Sequence, residues 1–160
     1  MTDLRVGIGV DAHALEEDVP LVLGGVSIDY PRGLAGHSDG DVVAHALIDA
    51  ILGAANLGDI GSLFPSGDEQ YRGASSLDLL RKAYRDVHEA GWELVNADCV
   101  LVAEEPRIGD VRDDMRERLA GALGVEPASV SVRATTTDRL GFTGRGEGLA
   151  AQAVALLRRA

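Results

Sequence analysis

The stretch Val42–Ala55, VVAHALIDAILGAA, is apolar on almost every face. A helix with that pattern has no side to offer to water, so it must lie inside the fold with other elements packed around it. Ser38, Asp39 and Asp41 stand just before it, each able to accept an N–H at a helix N-terminus. Asp41, His45 and Asp49 are spaced four apart and stack along one helical face. Polar groups in such a helix are costly unless they are bonded. One reading pairs His45 with Asp49 as a satisfied core histidine. The other makes His45 a metal ligand, with Asp49 behind it orienting the ring.

The second reading gains weight from the start of the chain. Leu4–Val10 reads as a buried strand and runs into GVDAHAL. Asp11 and His13 are two residues apart, so on extended backbone their side chains share a face. With His45 they make a three-ligand zinc set. Three protein ligands with a fourth position open is the arrangement of a catalytic zinc. Gly7-Ile-Gly9-Val-Asp11-Ala12 also fits G-x-G-x-x-A, but the HALEEDVPL that follows opens no helix, which excludes the dinucleotide reading. The expectation is instead that these glycines allow a close backbone approach.

The 160 residues read as one domain, 1–160. Hydrophobic content of 46% with only 4% aromatic points to a core of Ala, Val, Leu and Ile. Fifteen basic against twenty-six acidic side chains leave a net charge of −11, which argues against nucleic-acid and anionic-membrane partners. A small anionic ligand would need metal ions, backbone N–H groups and a few placed arginines. The single cysteine, Cys99, lies in the apolar run NADCVLV and reads as a buried small hydrophobe in a reducing compartment. MTDLRVGIGV lacks a secretory pattern and no apolar run is long enough to span a bilayer, so the expected location is cytoplasmic.

Along the rest of the chain, Ala14–Tyr30 reads as a loop or short hairpin with a solvated Glu16-Glu17-Asp18 cluster, and Leu57–Pro65 as loop. Ser75–Ala90 is an amphipathic helix stopped by Gly91, with His88 meeting the dipole at its C-terminus. Leu94–Ala103 and Val130–Ala134 read as strands, and Ile108–Leu123 as a second amphipathic helix ended by Gly124. The tail Gly148–Arg158 fits either a helix or a buried strand. The interleaving suggests a sheet covered by helices with at least one right-handed crossover.

Two segments suit phosphate. In His37-Ser38-Asp39-Gly40-Asp41, leading into the apolar helix, free N–H groups, His37 and Ser38 offer donors, although Ser38 and Asp39 also serve simply as caps. Ala134-Thr-Thr-Thr-Asp138 and the glycine-rich Arg139–Gly148 combine hydroxyls, exposed amides and two arginines, and Asp138 suits a hard cation such as magnesium.

With GVDAHAL, LGGV, GLAGHSDGDVVAHALIDAILGAANLGDIGSLFP and RATTTDRLGFTGRGEG in place, the chain from Arg5 to Leu157 resembles the 2-C-methyl-D-erythritol 2,4-cyclodiphosphate synthase family. The resemblance implies zinc, or another divalent transition metal, on Asp11, His13 and His45. It implies that His37 and Ser38 contact substrate phosphate, and that Asp59, Ile60, Gly61 and the Phe64–Asp68 stretch line a methylerythritol pocket. Ala103, Pro106, Arg107 and Ile108, within Ala103–Gly109, would cradle cytosine. Ala134, Thr135, Thr136, Thr137 and Asp138 would hold the diphosphate, with a second cation (Mg2+ or Mn2+) on Asp138, where glutamate is usual. Arg107 and Arg139 stand where lysine is frequent, and Ser66-Gly67-Asp68 is less acidic than the family pattern.

The same resemblance implies an α+β fold: a mixed four-stranded sheet covered by helices, with a chorismate-mutase-like β-α-β-α-β-β core. It implies a homotrimer with active sites at subunit interfaces, and it makes the tail a strand. Phe142, Arg145 and Glu147 would approach the threefold axis, where a cavity accepts an isoprenoid diphosphate. The implied reaction closes 4-diphosphocytidyl-2-C-methyl-D-erythritol 2-phosphate into the 2,4-cyclodiphosphate with release of CMP, on the non-mevalonate route to isoprenoid precursors. His37 and Thr136 would donate hydrogen bonds in the transition state. A metal-dependent phosphatase or phosphodiesterase would use similar ligands, and a ligand-binding trimer without catalysis is a third reading.

Overall fold

The computed structural model describes residues 3–160. Seven strands, β1 (Leu4–Glu17), β2 (Leu21–Leu23), β3 (Val26–Ile28), β4 (Arg32–Leu34), β5 (Trp92–Val102), β6 (Val130–Thr135) and β7 (Gly148–Arg159), combine with five helices. The helices are α1 (Val42–Ala55), α2 (Ile60–Leu63), α3 (Ser76–Glu89), α4 (Arg112–Leu123) and α5 (Gly141–Gly144). One sheet runs β4-β1-β7-β5-β6, and β2 and β3 form a separate hairpin. β5 and β6 are parallel, joined through α4, and the remaining pairs are antiparallel, so the fold is mixed α+β.

The apolar helix is where its composition requires. Eleven of the fourteen residues of α1 are buried. It packs on β1 across the two glycines: a Cβ on Gly7 would sit 2.0 Å from the Ala50 carbonyl oxygen, and one on Gly9 1.8 Å from that of Ala46. Only a residue without a side chain lets strand and helix backbones meet this closely. Opposite residues on paired strands share a face, so the row Gly9–Ala153–Cys99 looks toward the helices, as does the next such row, Asp11–Ala151–Leu101. Cys99 is buried there, and burial pushes its thiol up to about 12, leaving it inert. The opposite face of β1 carries Val6, Ile8 and Val10, which are 70%, 60% and 64% exposed.

Several sequence expectations shift. The first strand continues past Val10 to Glu17, because Asp11–Ala14 pair with β7 and Leu15–Glu17 with β4. The sheet has five strands where four were expected, the short β4 being the addition. Leu57–Pro65 contains α2, started by a capping box in which Asp59 accepts from Ser62 N and Ser62 Oγ from Asp59 N. The second amphipathic helix begins at Arg112 rather than Ile108. Ile108 is instead buried in the loop before it. The tail is a strand, β7, held between β1 and β5; its burial alternates, but its sequence shows no clear period because the less buried positions between are also apolar at Ala150, Val154 and Leu156.

Candidate metal centre and substrate clefts

β1 brings Asp11 and His13 to the helix side of the sheet, and the first turn of α1 brings His45 to meet them. Asp11 Oδ2 is 2.9 Å from His13 Nε2 and 3.1 Å from His45 Nδ1, and the two ring nitrogens are 3.3 Å apart. These three atoms form a potential metal-binding group. Bonds of about 2.0–2.1 Å to a tetrahedral ion imply donor–donor edges of roughly 3.3 Å. The triangle is close to one face of that tetrahedron.

The outer partners of both rings sharpen the fit. His13 Nδ1 lies 2.8 Å from the Ala35 carbonyl, which only accepts, so it carries the proton and Nε2 bears a lone pair. His45 Nε2 lies 2.8 Å from Ser76 Oγ and 3.0 Å from Ser38 Oγ. With neutral rings and Nδ1 of His45 unprotonated, three acceptors converge, an arrangement a cation satisfies. The hydrogen bond of Asp11, with its charge, raises the pKa of His13. Burial acts to raise the Asp11 carboxyl, but hydrogen bonds and charges of His13 and His45 outweigh it and hold it at about 2. It therefore stays ionised, as a metal ligand must be.

Asp49 does not orient His45. Its Oδ1 accepts from Ile60 N at 2.7 Å, tying α1 to α2. Asp41 caps α1, accepting from Ala44 N, and also receives Gly24 N and Gly25 N at 2.9 and 2.7 Å. It thereby anchors the β2–β3 hairpin to the helix start. Burial pushes its carboxyl up to about 6, against those three N–H donors.

The triad sits in a cavity of about 400 Å³ whose wall includes His37, Ser38, Ile60, Gly61 and Phe64. His37 Nε2 donates to the Asp68 carbonyl at 2.8 Å, fastening the Pro65–Asp68 turn. The Asp68 carboxylate turns away to Gln70, and Asp59 is occupied in capping α2. Tyr71 and Leu79 also line the cavity, and no motif flagged them.

Ala103, Pro106, Arg107, Ile108, Ala134, Thr135 and Thr136 line a second cleft of about 340 Å³. It is separate from the first, yet both open at the same end of the sheet. The row Ala12–Ala150–Val102–Thr135 spans three strand spacings, about 14 Å. Thr137 faces its own loop, donating to the Leu140 carbonyl and lying 3.1 Å from Thr143 Oγ1. Asp138 is exposed, with φ of 53°. Glu104, inside the expected Ala103–Gly109 stretch but not singled out within it, accepts from Thr137 N at 3.3 Å and Arg139 N at 2.9 Å, clasping the threonine loop to the Ala103–Ile108 loop. Phe142 lies apart, beside Ala12, His13 and Glu147, and Arg145 pairs with Glu147 at 2.8 Å.

The chain is similar to known proteins along nearly its whole length. The YgbB family profile matches residues 4–158. A 2-C-methyl-D-erythritol 2,4-cyclodiphosphate synthase from Moorella thermoacetica is 60% identical over 154 residues, covering 96% of this chain and 94% of the relative. The solved structure of the bifunctional IspDF from Campylobacter jejuni superposes with a TM-score of 0.96 at 44% identity, covering all of this chain and 43% of that one. A CDP complex of IspF from Plasmodium falciparum gives 0.86 at 30% identity, covering 99% and 98%.

Proposed function

This chain belongs to the YgbB family, and from that premise we propose that it cyclises 4-diphosphocytidyl-2-C-methyl-D-erythritol 2-phosphate to 2-C-methyl-D-erythritol 2,4-cyclodiphosphate, releasing CMP. The observation that carries this reading is the convergence of Asp11, His13 and His45 on the cavity floor, with a threonine- and arginine-lined cleft at the same end of the sheet. The 2-phosphate oxygen forms the new bond to the β-phosphorus, and the bond from that phosphorus to the oxygen bridging it to the α-phosphorus breaks. The nucleophile is already anionic, so no strong base is required. Positioning and charge neutralisation suffice, as in other phosphoryl transfers.

Zinc, or another divalent transition metal, on the triad would supply positive charge to a diphosphate oxygen. The chain's own groups do the rest. Ser38 and His37 border the triad and offer donors to phosphate, His37 by exchanging its Nε2–H bond to the Asp68 carbonyl. Ile60 and Phe64 enclose the methylerythritol carbons. Ala103 and Ile108 form an apolar seat for cytosine, and Thr135 and Thr136 offer hydroxyls to the diphosphate. Asp138, exposed beside Thr136, is proposed to hold Mg2+ or Mn2+.

The separation of the two clefts supports an active site shared between copies, the metal half from one protomer and the nucleotide half from its neighbour. We therefore propose a homotrimer, with the exposed Val6, Ile8 and Val10 row buried between subunits. Phe142 and Arg145 then approach the threefold axis as a seat for an isoprenoid diphosphate. No helix among the described residues is long and apolar enough to cross a membrane; we propose a cytoplasmic location. Phosphorus NMR of the reaction with substrate and both metals tests the function. The expected product is the cyclic diphosphate with equimolar CMP. Free phosphate or a linear diphosphate would instead identify a hydrolase.

A further inference from the structure

The three ligand atoms are only half of the metal centre; the other half is what fixes the His45 ring from behind. Ser76 opens α3 and is fully buried. Its hydroxyl is hydrogen-bonded both to His45 Nε2, at 2.8 Å, and to Asp39 Oδ1. Asp39 is itself held in place, its Oδ2 accepting from Ser76 N at 3.0 Å and its Oδ1 from Asp41 N at 3.1 Å. An ionised carboxylate has no proton to give, so the single Ser76 hydroxyl proton points to Asp39. The Ser76 oxygen is then left as an acceptor, and the only donor the imidazole can present to it is Nε2–H. A neutral ring protonated at Nε2 has its lone pair on Nδ1, the atom that faces Asp11 and His13.

We propose that Asp39 and Ser76 act as a positioning pair that sets the His45 tautomer, delivering an unprotonated Nδ1 to the metal. This deepens the proposed function, whose metal it serves, without depending on which reaction follows. The alternative tautomer would aim a proton at the ligand triangle and block coordination. Ser38 Oγ, 3.0 Å from the same Nε2, is a weaker second acceptor: it lies 3.5 Å from Ser76 Oγ and has no carboxylate partner fixing its own proton. The geometry therefore singles out Asp39, three residues before the start of α1, as acting on a ligand it does not touch.

The substitution that isolates this role is Asp39→Asn. It keeps the shape and one carbonyl acceptor, but its amide can donate to Ser76, letting the hydroxyl turn its proton toward His45 Nε2. Ser76→Ala removes the acceptor altogether. Two readouts, neither of them turnover, are taken on the full chain. The first is long-range 15N–1H NMR of the His45 ring in metal-free protein, expected to show Nε2–H in the wild type and a shift toward Nδ1–H in Asp39→Asn. The second is competitive zinc titration, expected to weaken by about 10- to 100-fold in both variants. Thermal melting of the metal-free proteins separates this from unfolding. An Nδ1–H tautomer in the wild type overturns the proposal whatever the variants do. So does zinc affinity within twofold of wild type in folded Asp39→Asn and Ser76→Ala. A protein that binds zinc as expected but yields no cyclic product would refute the proposed reaction and leave this pair standing.

Discussion

Replacing Gly9 by alanine adds one methyl group and should disable the metal centre. The new Cβ would stand 1.8 Å from the Ala46 carbonyl oxygen, 2.8 Å from its carbon and 2.9 Å from Ala50 N. Carbon and carbonyl oxygen ordinarily meet at about 3.3 Å, so strand and helix must part by roughly 1.5 Å. Both partners are backbone, and no rotamer change relieves the clash. Overpacking of this kind costs about 1–3 kcal/mol, and a rigid contact belongs at the upper end. For a chain of this length 3 kcal/mol corresponds to a loss of roughly 6–12 °C in Tm.

The larger consequence is at the site. Gly9 lies two residues before Asp11 on the same face of β1, and Ala46 follows His45 in α1. Moving the two apart opens a donor triangle now 2.9–3.3 Å on a side, and metal sites tolerate only about 0.2 Å in their bond lengths. We expect Gly9→Ala to lose zinc binding by at least about tenfold in a competitive titration. Gly53→Ala is the control: Gly53 lies in the same helix with nothing within 4 Å of an added Cβ. It should stabilise the helix by about 0.5–1 kcal/mol and leave zinc affinity unchanged. A Gly9→Ala protein that melts within about 2 °C of wild type and binds zinc equally well would refute the reasoning.

Four further outcomes are expected. His45→Ala should abolish metal binding and turnover together, and wild-type activity in that protein would end the metal assignment; Thr136→Ala should lower kcat by about 10²-fold while the fold persists, as loss of a transition-state donor does. Glu104→Gln should raise KM by about tenfold, the worth of one hydrogen bond to a charged group, because one of the two N–H groups it clasps loses its acceptor; an unchanged KM would show the clasp to be dispensable. Burial raises Asp41 from 3.8 to about 6, so the folded chain keeps a proton that the unfolded chain releases across that window. The stability from this group is full below pH 3.8 and lost as the pH rises through about 6, a slope that Asp41→Asn should flatten in denaturant midpoints measured against pH.

The candidate metal ligands were legible early because their signals are local. Period-two spacing puts Asp11 and His13 on one face, and a histidine inside an all-round apolar helix demands a partner. Asp49 misled for the same reason: four-residue spacing put it on the His45 face, but only the position of α2 assigns it to Ile60 N. Ser76 and Glu104 carried no local mark. One is a serine in a helix's first turn and the other an acid in an acidic loop, and each acquires its role from a segment more than thirty residues away.

From the sequence alone came a buried central helix, two glycines reserved for close approach, an acidic chain that must hold an anion by local means, and three candidate metal ligands. Those follow from periodicity, side-chain size and charge, which neighbours in the chain already express. The tertiary structure decided that the tail is a strand between β1 and β5, that the first strand runs on through Asp11 and His13, and that the segments proposed for phosphate line two clefts. Strand register and the separation of clefts depend on which distant backbones pair, and that information belongs to no single stretch of residues.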